Sequence, residues 1–240
     1  MRVIDLFCGA GGFSEGFKQA GFKIVWALDK DFLASHTYRL NHDVYVAEKD
    51  IMEILTIPDC DIIIGSPPCP HFSNANRNYH DKPDIQYIDK FIDIIEEYNP
   101  KYWVMENVVG VEEFIPIKYK FKIQILQANW FGLYHLRKRV FCGNFPKVKK
   151  QTDNEIVYPT PIACDDHIHK STNNPNVSCL SDYMGFTPEI DVFKRIMGFP
   201  DNYVFVGEKK EQIRQVGNAV CPPVARAIAE AILKKEGVDK

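Results

Sequence analysis

Four short apolar runs, each closed by residues that break regular structure, constrain this chain most: RVIDLF before CGAGG, FKIVWALD before KDF, CDIIIG before SPPC, and YWVMEN before VVG. Near-continuous apolar runs of this length are what strands look like when both faces of a sheet are covered. Helix-length stretches lie between them: SEGFKQAG, FLASHTYRLNH and YIDKFIDIIEEY, the last with Ile88, Phe91, Ile92 and Ile95 on one face. Strand and helix alternate. This predicts an α/β, doubly wound, mostly parallel sheet with right-handed crossovers, whose ligands gather at the carboxyl ends of the strands. All four punctuation motifs fall on that rim.

After RVFCGNFP the texture changes, and residues 146 to about 190 are rich in Lys, Asp, Asn, Pro, Thr and His, as in a small loop-rich lobe. The last segment, EKKEQIRQVGNAVCPPVARAIAEAILKK, returns to regular structure, with a helix opening near Pro222 and Pro223. The expected division is a domain of residues 1–145 completed by 205–240, with 146–204 as the small lobe. A chain of 240 residues, 45% apolar and 25% charged, suits one globular core with such an appendage. The first residues lack a signal core and no apolar stretch approaches spanning length, so a cytoplasmic location and no membrane partner are expected. Seven cysteines without a repeated spacing point to reduced thiols. The net charge of -3 argues against a wholly basic nucleic-acid binder. From Phe114 to Thr152, however, there is no acid, while Lys118, Lys120, Lys122, Arg137, Lys138, Arg139, Lys147, Lys149 and Lys150 all occur. Such a run either covers a phosphate backbone or is an ordinary solvated face.

CGAGGF follows the first strand, where small residues let a ligand approach backbone amides at a helix N-terminus. Ser14 takes the place of the third glycine of a dinucleotide fingerprint. Asp29, ending the second strand, suits a ribose hydroxyl of a dinucleotide or of S-adenosylmethionine. In GSPPCPHFS, Pro67 and Pro68 make a stiff mount for Cys69. Cys69 reads as a buried thiol or as a nucleophile, whereas partners at zinc-like spacing are missing. A free thiol is only ~3% thiolate at neutral pH, so a nucleophile needs a cationic setting, which His71, Arg77 or later arginines would supply. Glu106, at the mouth of an apolar strand, suits a carboxyl with a raised pKa. Cysteine and acid together suit activation of cytosine: a thiolate adds at C6, an acid protonates N3, and C5 becomes nucleophilic on a base taken out of its stack.

With these residues in order, the chain resembles the cytosine-C5 DNA methyltransferases from end to end. The resemblance implies a class I S-adenosylmethionine methyltransferase fold, Rossmann-like, with a small target-recognition lobe. It implies S-adenosyl-L-methionine as donor and S-adenosyl-L-homocysteine as product. DLFCGAGGF is similar to the family's first motif, with Phe7 against the adenine and Gly9, Ala10, Gly11 and Gly12 around the methionine moiety. Asp29 matches the ribose-binding acid, Lys30 a position covering the adenine, and Asp50 with Ile51 the pair at the adenine edge. Pro67 to Cys69 match the nucleophile motif and Glu106 to Val108 the cytosine-binding motif. Arg137 and Arg139 match two arginines that anchor base and backbone; FKRIMGFPD resembles the joining motif, and Asn218 and Val220 in QVGNAV the closing one.

The departures are Pro70, where the family has glutamine, Tyr134-His135 in place of Pro-Gln, and Lys30 itself. SNANRNYHDKPD is expected as a mobile loop over an extruded base. The lobe is short for the family, which implies a short or loosely defined target. Cys164, His167, His169 and Cys179 fit no standard zinc finger, and no metal is expected. The implied partner is double-stranded DNA, handled by a monomer in a restriction-modification or phage and host protection setting, with a cognate endonuclease acting separately. Two alternatives remain: a tRNA cytosine-5 methyltransferase of the same family, of whose Cys-Phe-Thr signature Cys179-Leu180-Ser181 is a faint echo, and a catalytically silent DNA-binding module.

Overall fold

The computed structural model describes residues 1–68, 85–161 and 180–238. The central sheet has seven strands in the order β3-β2-β1-β4-β5-β7-β6. They are β1 (Arg2–Leu6), β2 (Lys23–Asp29), β3 (Val46–Glu48), β4 (Ile62–Gly65), β5 (Tyr102–Asn107), β6 (Ile123–Gln127) and β7 (Lys138–Gly143). The first five pair in parallel, and β7 runs antiparallel to both β5 and β6. The four apolar runs become β1, β2, β4 and β5, as expected for a doubly wound sheet.

Among the described residues seven α-helices surround it: α1 (Gly12–Gln19), α2 (Phe32–Asn41), α3 (Gln86–Tyr98), α4 (Leu180–Met184), α5 (Ile190–Met197), α6 (Lys209–Asn218) and α7 (Pro222–Lys235). Each central strand serves both faces, because side chains alternate across a sheet. Ile62 and Ile64 pack in the core with α1, α5, α6 and α7, while Ile63 points into the core with α3. Tyr102 and Val104 likewise oppose Trp103 and Met105. The apolar face of α3 is buried at Ile88, Phe91, Ile92, Ile94 and Ile95.

Punctuation has visible causes. Asp31 of KDF caps α2, its Oδ1 accepting from Leu33 N at 3.0 Å and Ala34 N at 3.1 Å. Asn99, left-handed at φ 43°, ends α3 just before Pro100. The capping box of Glu208 and Glu211 starts α6, and Pro222 and Pro223 open α7. Lys209–Lys235 has the length and composition of a membrane span, contrary to the reading that no stretch approaches it. It folds as two helices, broken at the cap residues Ala219 and Cys221, and 67% of its most apolar window is buried.

The basic run is spread over the two ends of a hairpin. Lys118, Lys120 and Lys122 lie on a 3-10 turn, Ile117–Lys122, that enters β6, whereas Arg137, Lys138 and Arg139 enter β7. The antiparallel register pairs Ile123 with Cys142 and Gln127 with Lys138, so the two groups stand at opposite ends of the hairpin. That is about 14 Å at ~3.4 Å per residue. Lys118 pairs with Glu96 at 2.5 Å and Lys150 with Asp153 at 2.7 Å.

α1 lies directly on α7 because Gly16 has no side chain. A Cβ there would run into Pro222 O and come within 2.5 Å of Ala225 Cβ and Arg226 N. Gly16→Ala gains about 1 kcal/mol of helix propensity but overpacks a rigid contact, at a cost of about 1–3 kcal/mol. We expect a lower urea midpoint for Gly16→Ala, measured by circular dichroism; an unchanged or raised midpoint would show that the helices separate freely.

Candidate active site at the carboxyl ends of the strands

The loop after β1 winds tightly, with Phe7 at φ 57°, Gly9 at 51° and Gly11 at 91°. Phe7 is a non-glycine residue in the left-handed region, a strain of about 1–2 kcal/mol that the surrounding bonds must hold. Cys8 N donates to Leu28 O and Gly11 N to Cys8 O, both at 2.9 Å. Gly9 N donates to Asp29 Oδ2 at 2.7 Å, and Asp31 N to Asp29 Oδ1 at 2.8 Å. Burial raises the Asp29 pKa, against these two bonds. The loop has an open side: a Cβ on Gly9 would meet nothing within 4 Å. Its other side is closed, since a Cβ on Gly12 would run into Val220 O and lie 3.1 Å from the Phe199 ring. The glycine loop and QVGNAV, from opposite ends of the chain, thus form one wall.

Beside that wall, Lys30 Nζ donates to Asp50 Oδ2 at 3.0 Å and to Tyr87 Oη at 2.8 Å, and Tyr87 Oη donates to Asp50 Oδ2 at 2.9 Å. Lys30 Nζ also lies 4.8 Å from the Tyr87 ring centre, and Phe7 meets that ring edge-on at 5.8 Å. Burial pushes the Asp50 pKa up, but the bonds from Met52 N, Lys30 and Tyr87 together bring it below its usual value. Ile51 is buried under the turn that Asp50 caps. Tyr87 was missed in the sequence, where YIDKFIDIIEEY reads only as a helix.

Farther along the rim, register places Gly65 beside Met105, so the residues after β4 flank the end of β5. Asn107 Nδ2 donates to Pro67 O at 3.1 Å, tying the proline mount to the strand that carries Glu106. Glu106 is 7% exposed; Arg139 Nε pairs with its Oε1 at 3.1 Å, and Ser66 hydrogen-bonds to it. Burial raises the Glu106 pKa even so, with Arg139 and Arg137 working in the other direction. A carboxyl held this way can keep a proton and give it up near a guanidinium.

Arg137 does something different. From Phe131 to Lys138 burial alternates residue by residue, which turns His135 and Arg137 inward and leaves Tyr134, Leu136 and Lys138 exposed. Arg137 Nη1 donates to Pro161 O at 3.1 Å, and Nη2 to Gly217 O at 2.9 Å and Ala219 O at 3.1 Å. Burial, with help from Arg139, lowers its pKa to about 10. Of the two arginines only Arg139 meets Glu106, while Arg137 pins the turn between α6 and α7. Val220 is buried in that turn and Asn218 exposed. Cys69, Pro70, the segment SNANRNYHDKPD, and Cys164, His167, His169 and Cys179 lie outside the described residues, among which no cluster of three metal-ligating side chains occurs.

The sequence pattern of the family described as C-5 cytosine-specific DNA methylase matches residues 1–189 and 187–234. The chain belongs to this family. Among its relatives, the type II methyltransferase M.DdeI of Desulfomicrobium norvegicum is 38% identical over 59% of this chain, which spans only 40% of that protein. The type II methyltransferase M1.HphI of Haemophilus parahaemolyticus is 28% identical over 98% of this chain and 87% of its own length. That alignment runs 323 residues, so the relative carries sequence that this 240-residue chain lacks. A crystal structure assigned as a DNA modification methyltransferase encoded within an Escherichia coli prophage superposes with a TM-score of 0.74 at 19% identity, covering 99% of both chains. The S. pombe Dnmt2 methyltransferase gives 0.69 at 19% identity over 98% of this chain and 99% of that one. At such identity the two structures speak for the fold.

His135, which stands where the motif resemblance sets a glutamine, is fully buried in this C-5 methylase, its Nε2 facing Ile196 O at 3.1 Å and its Nδ1 without a partner. Burial and the neighbouring Arg137 lower its pKa to about 3. The unfolded chain takes up a proton near pH 6.5 and the folded one does not until about 3. This contribution to stability is therefore complete above pH 6.5 and lost as pH falls toward 3. His135→Gln should flatten that slope, read from urea midpoints at pH 4 and 7; an equal slope in both proteins would show that His135 is not the group responsible.

Proposed function

We propose that this chain is an S-adenosylmethionine-dependent DNA (cytosine-5-)-methyltransferase. The observation that carries the reading is the pairing of the buried Glu106 with Arg139, on a strand end that Asn107 fastens to Pro67, two residues before Cys69. Cys69 adds as a thiolate to C6 of an extruded cytosine, and the Glu106 carboxyl donates its proton to N3, so that C5 gains enamine character. Arg139 steadies the carboxylate that remains. Arg137, committed to three backbone carbonyls, keeps the cofactor wall in place beneath. After transfer a base removes the C5 proton, the thiolate leaves and the N3 proton returns to the Glu106 carboxylate.

In support of the donor site, an open glycine loop lies beside the Asp29 carboxylate and an edge formed by Phe7, Asp50 and Ile51. Those residues, with Gly9 to Gly12, Pro67, Asn218 and Val220, would hold S-adenosylmethionine, and Lys30 with Tyr87 would border the adenine end. When bound, the donor supplies an electrophilic methyl group and becomes S-adenosylhomocysteine. We assign residues 1–145 and 205–240 to catalysis and 146–204 to target recognition. A monomer acting on double-stranded DNA in the cytoplasm, in restriction-modification or phage and host protection beside a separate endonuclease, completes the reading; the type II names of the relatives support it.

The test is transfer of labelled methyl groups to DNA and, in parallel, to tRNA, with trapping on DNA containing 5-fluorocytosine. Label in DNA and a trapped adduct are expected. Cys69→Ala should abolish the adduct and keep S-adenosylhomocysteine binding, and Glu106→Gln should slow transfer by about 10²–10⁴-fold. Label in tRNA alone would replace the substrate. Donor binding with no transfer to either would leave a silent DNA-binding module, and full activity in Cys69→Ala would remove the nucleophile.

A further inference from the structure

The closed back of the glycine loop is polar. Tyr203 Oη donates to Ala10 O at 2.5 Å across 193 positions of sequence, and His42 Nε2 lies 3.0 Å from the same hydroxyl. A carbonyl only accepts, so the single Tyr203 proton goes to Ala10. His42 must then donate from Nε2, which leaves its Nδ1 bare, and that atom is indeed buried without a partner. Both side chains are 3% exposed. A Cβ on Gly11 would lie 2.6 Å from Tyr203 Oη, 2.7 Å from His42 Nε2 and 2.9 Å from Tyr38 Cδ2, so the loop rests against them with no slack.

Tyr203 is itself held from two sides. Asn41 Nδ2 donates to Val204 O at 2.8 Å, Val204 N to Asn41 Oδ1 at 2.9 Å, and Val206 N to Thr37 Oγ1 at 3.0 Å, which stitches the segment after α5 to α2. Phe199 and Phe205 pack on its ring at 4.8 and 5.3 Å. Toward the loop this body presents the Tyr203 hydroxyl, backed by His42, whose ring also hydrogen-bonds to the Gly11 backbone.

We propose that Tyr203, oriented by His42, is a positioning residue for the methyl donor: it draws the Ala10 carbonyl behind the loop and keeps that oxygen off the open side at Gly9. This rests on the pocket's assignment as the donor site. Without the hydroxyl, Ala10 O loses its donor in a buried place, and the loop gains a reason to turn that oxygen toward the ligand.

Titration calorimetry with S-adenosylhomocysteine, without DNA, reads the effect directly. Tyr203→Phe should weaken binding roughly tenfold, with the KM for DNA and the rate at saturating donor changed less than twofold. His42→Gln, which keeps a donor near the Nε2 position, should bind like the unaltered protein, and His42→Phe should resemble Tyr203→Phe. Thermal unfolding of each variant accompanies the titrations. Equal affinity in folded Tyr203→Phe would overturn the proposal, as would a loss shared equally by DNA binding and rate. If Tyr203→Phe does not fold, the two His42 variants decide, and equal binding by both overturns it. An unaltered protein that binds no S-adenosylhomocysteine defeats the donor-site reading instead.

Discussion

A guanidinium buried to 4% exposure costs several kcal/mol to desolvate unless its protons are used. Arg137 uses three of its bonds on carbonyls from two distant segments, Pro161 and the Gly217 to Ala219 turn. That debt of solvation fixes the turn, and the turn carries Val220, whose carbonyl closes on Gly12. The countercharge is supplied one step away, where Arg139 holds Glu106. Two cations face one carboxylate at the rim. The excess positive charge counters the burial that raises the Glu106 pKa, so the carboxyl remains able to give up its proton.

The loop between β1 and α1 depends on the same closure. Its front is open and its back is filled, and glycine serves both ends for opposite reasons. At Gly9 a side chain would have space and the backbone would be strained at φ 51°; at Gly12 space itself is missing. Beneath the loop, Tyr38 Oη donates to Ser14 Oγ and Ser14 Oγ to Asp5 Oδ2, both at 2.6 Å, and burial, opposed by the Ser14 bond, pushes the Asp5 carboxyl up to about 8. Ser14, standing where a dinucleotide fingerprint has its third glycine, is used inward rather than toward a ligand.

The parallel strands are legible in the sequence because burial on both faces demands continuous apolar runs, and β1, β2, β4 and β5 have them. β3 is three residues long and carries no such signal, and β6 and β7 alternate or begin with charge because they pair antiparallel at the sheet edge. Glu106 and Asp29 are legible for a related reason: an acid that closes an apolar strand has few structural uses. Tyr87, Tyr203 and His42 are not, since a tyrosine or histidine at a helix end or in a loop reads the same whether or not a distant segment folds against it. The burial of Arg137 lies between these cases. The alternation of Phe131, Leu133, His135 and Arg137 was present in the letters, but a strand period carrying two titratable groups on its inner phase looks like a loop.

Charge in sequence is a linear quantity, and a hairpin redistributes it. The nine cations between Phe114 and Thr152 divide between the two ends of β6 and β7 and the chain that follows them. At the rim, where the proposed chemistry belongs, Arg137 is bonded inward and Arg139 to Glu106, so Lys138 is the one exposed cation of that triplet. If each phosphate neutralised by a cation contributes a salt-dependence slope of about 0.9, this triplet supplies about one such contact. Duplex affinity on the proposed reading must then draw on cations elsewhere in the chain. Two of the nine, Arg137 and Arg139, are bonded inward, the one to the turn that closes on Gly12 and the other to a single buried carboxyl.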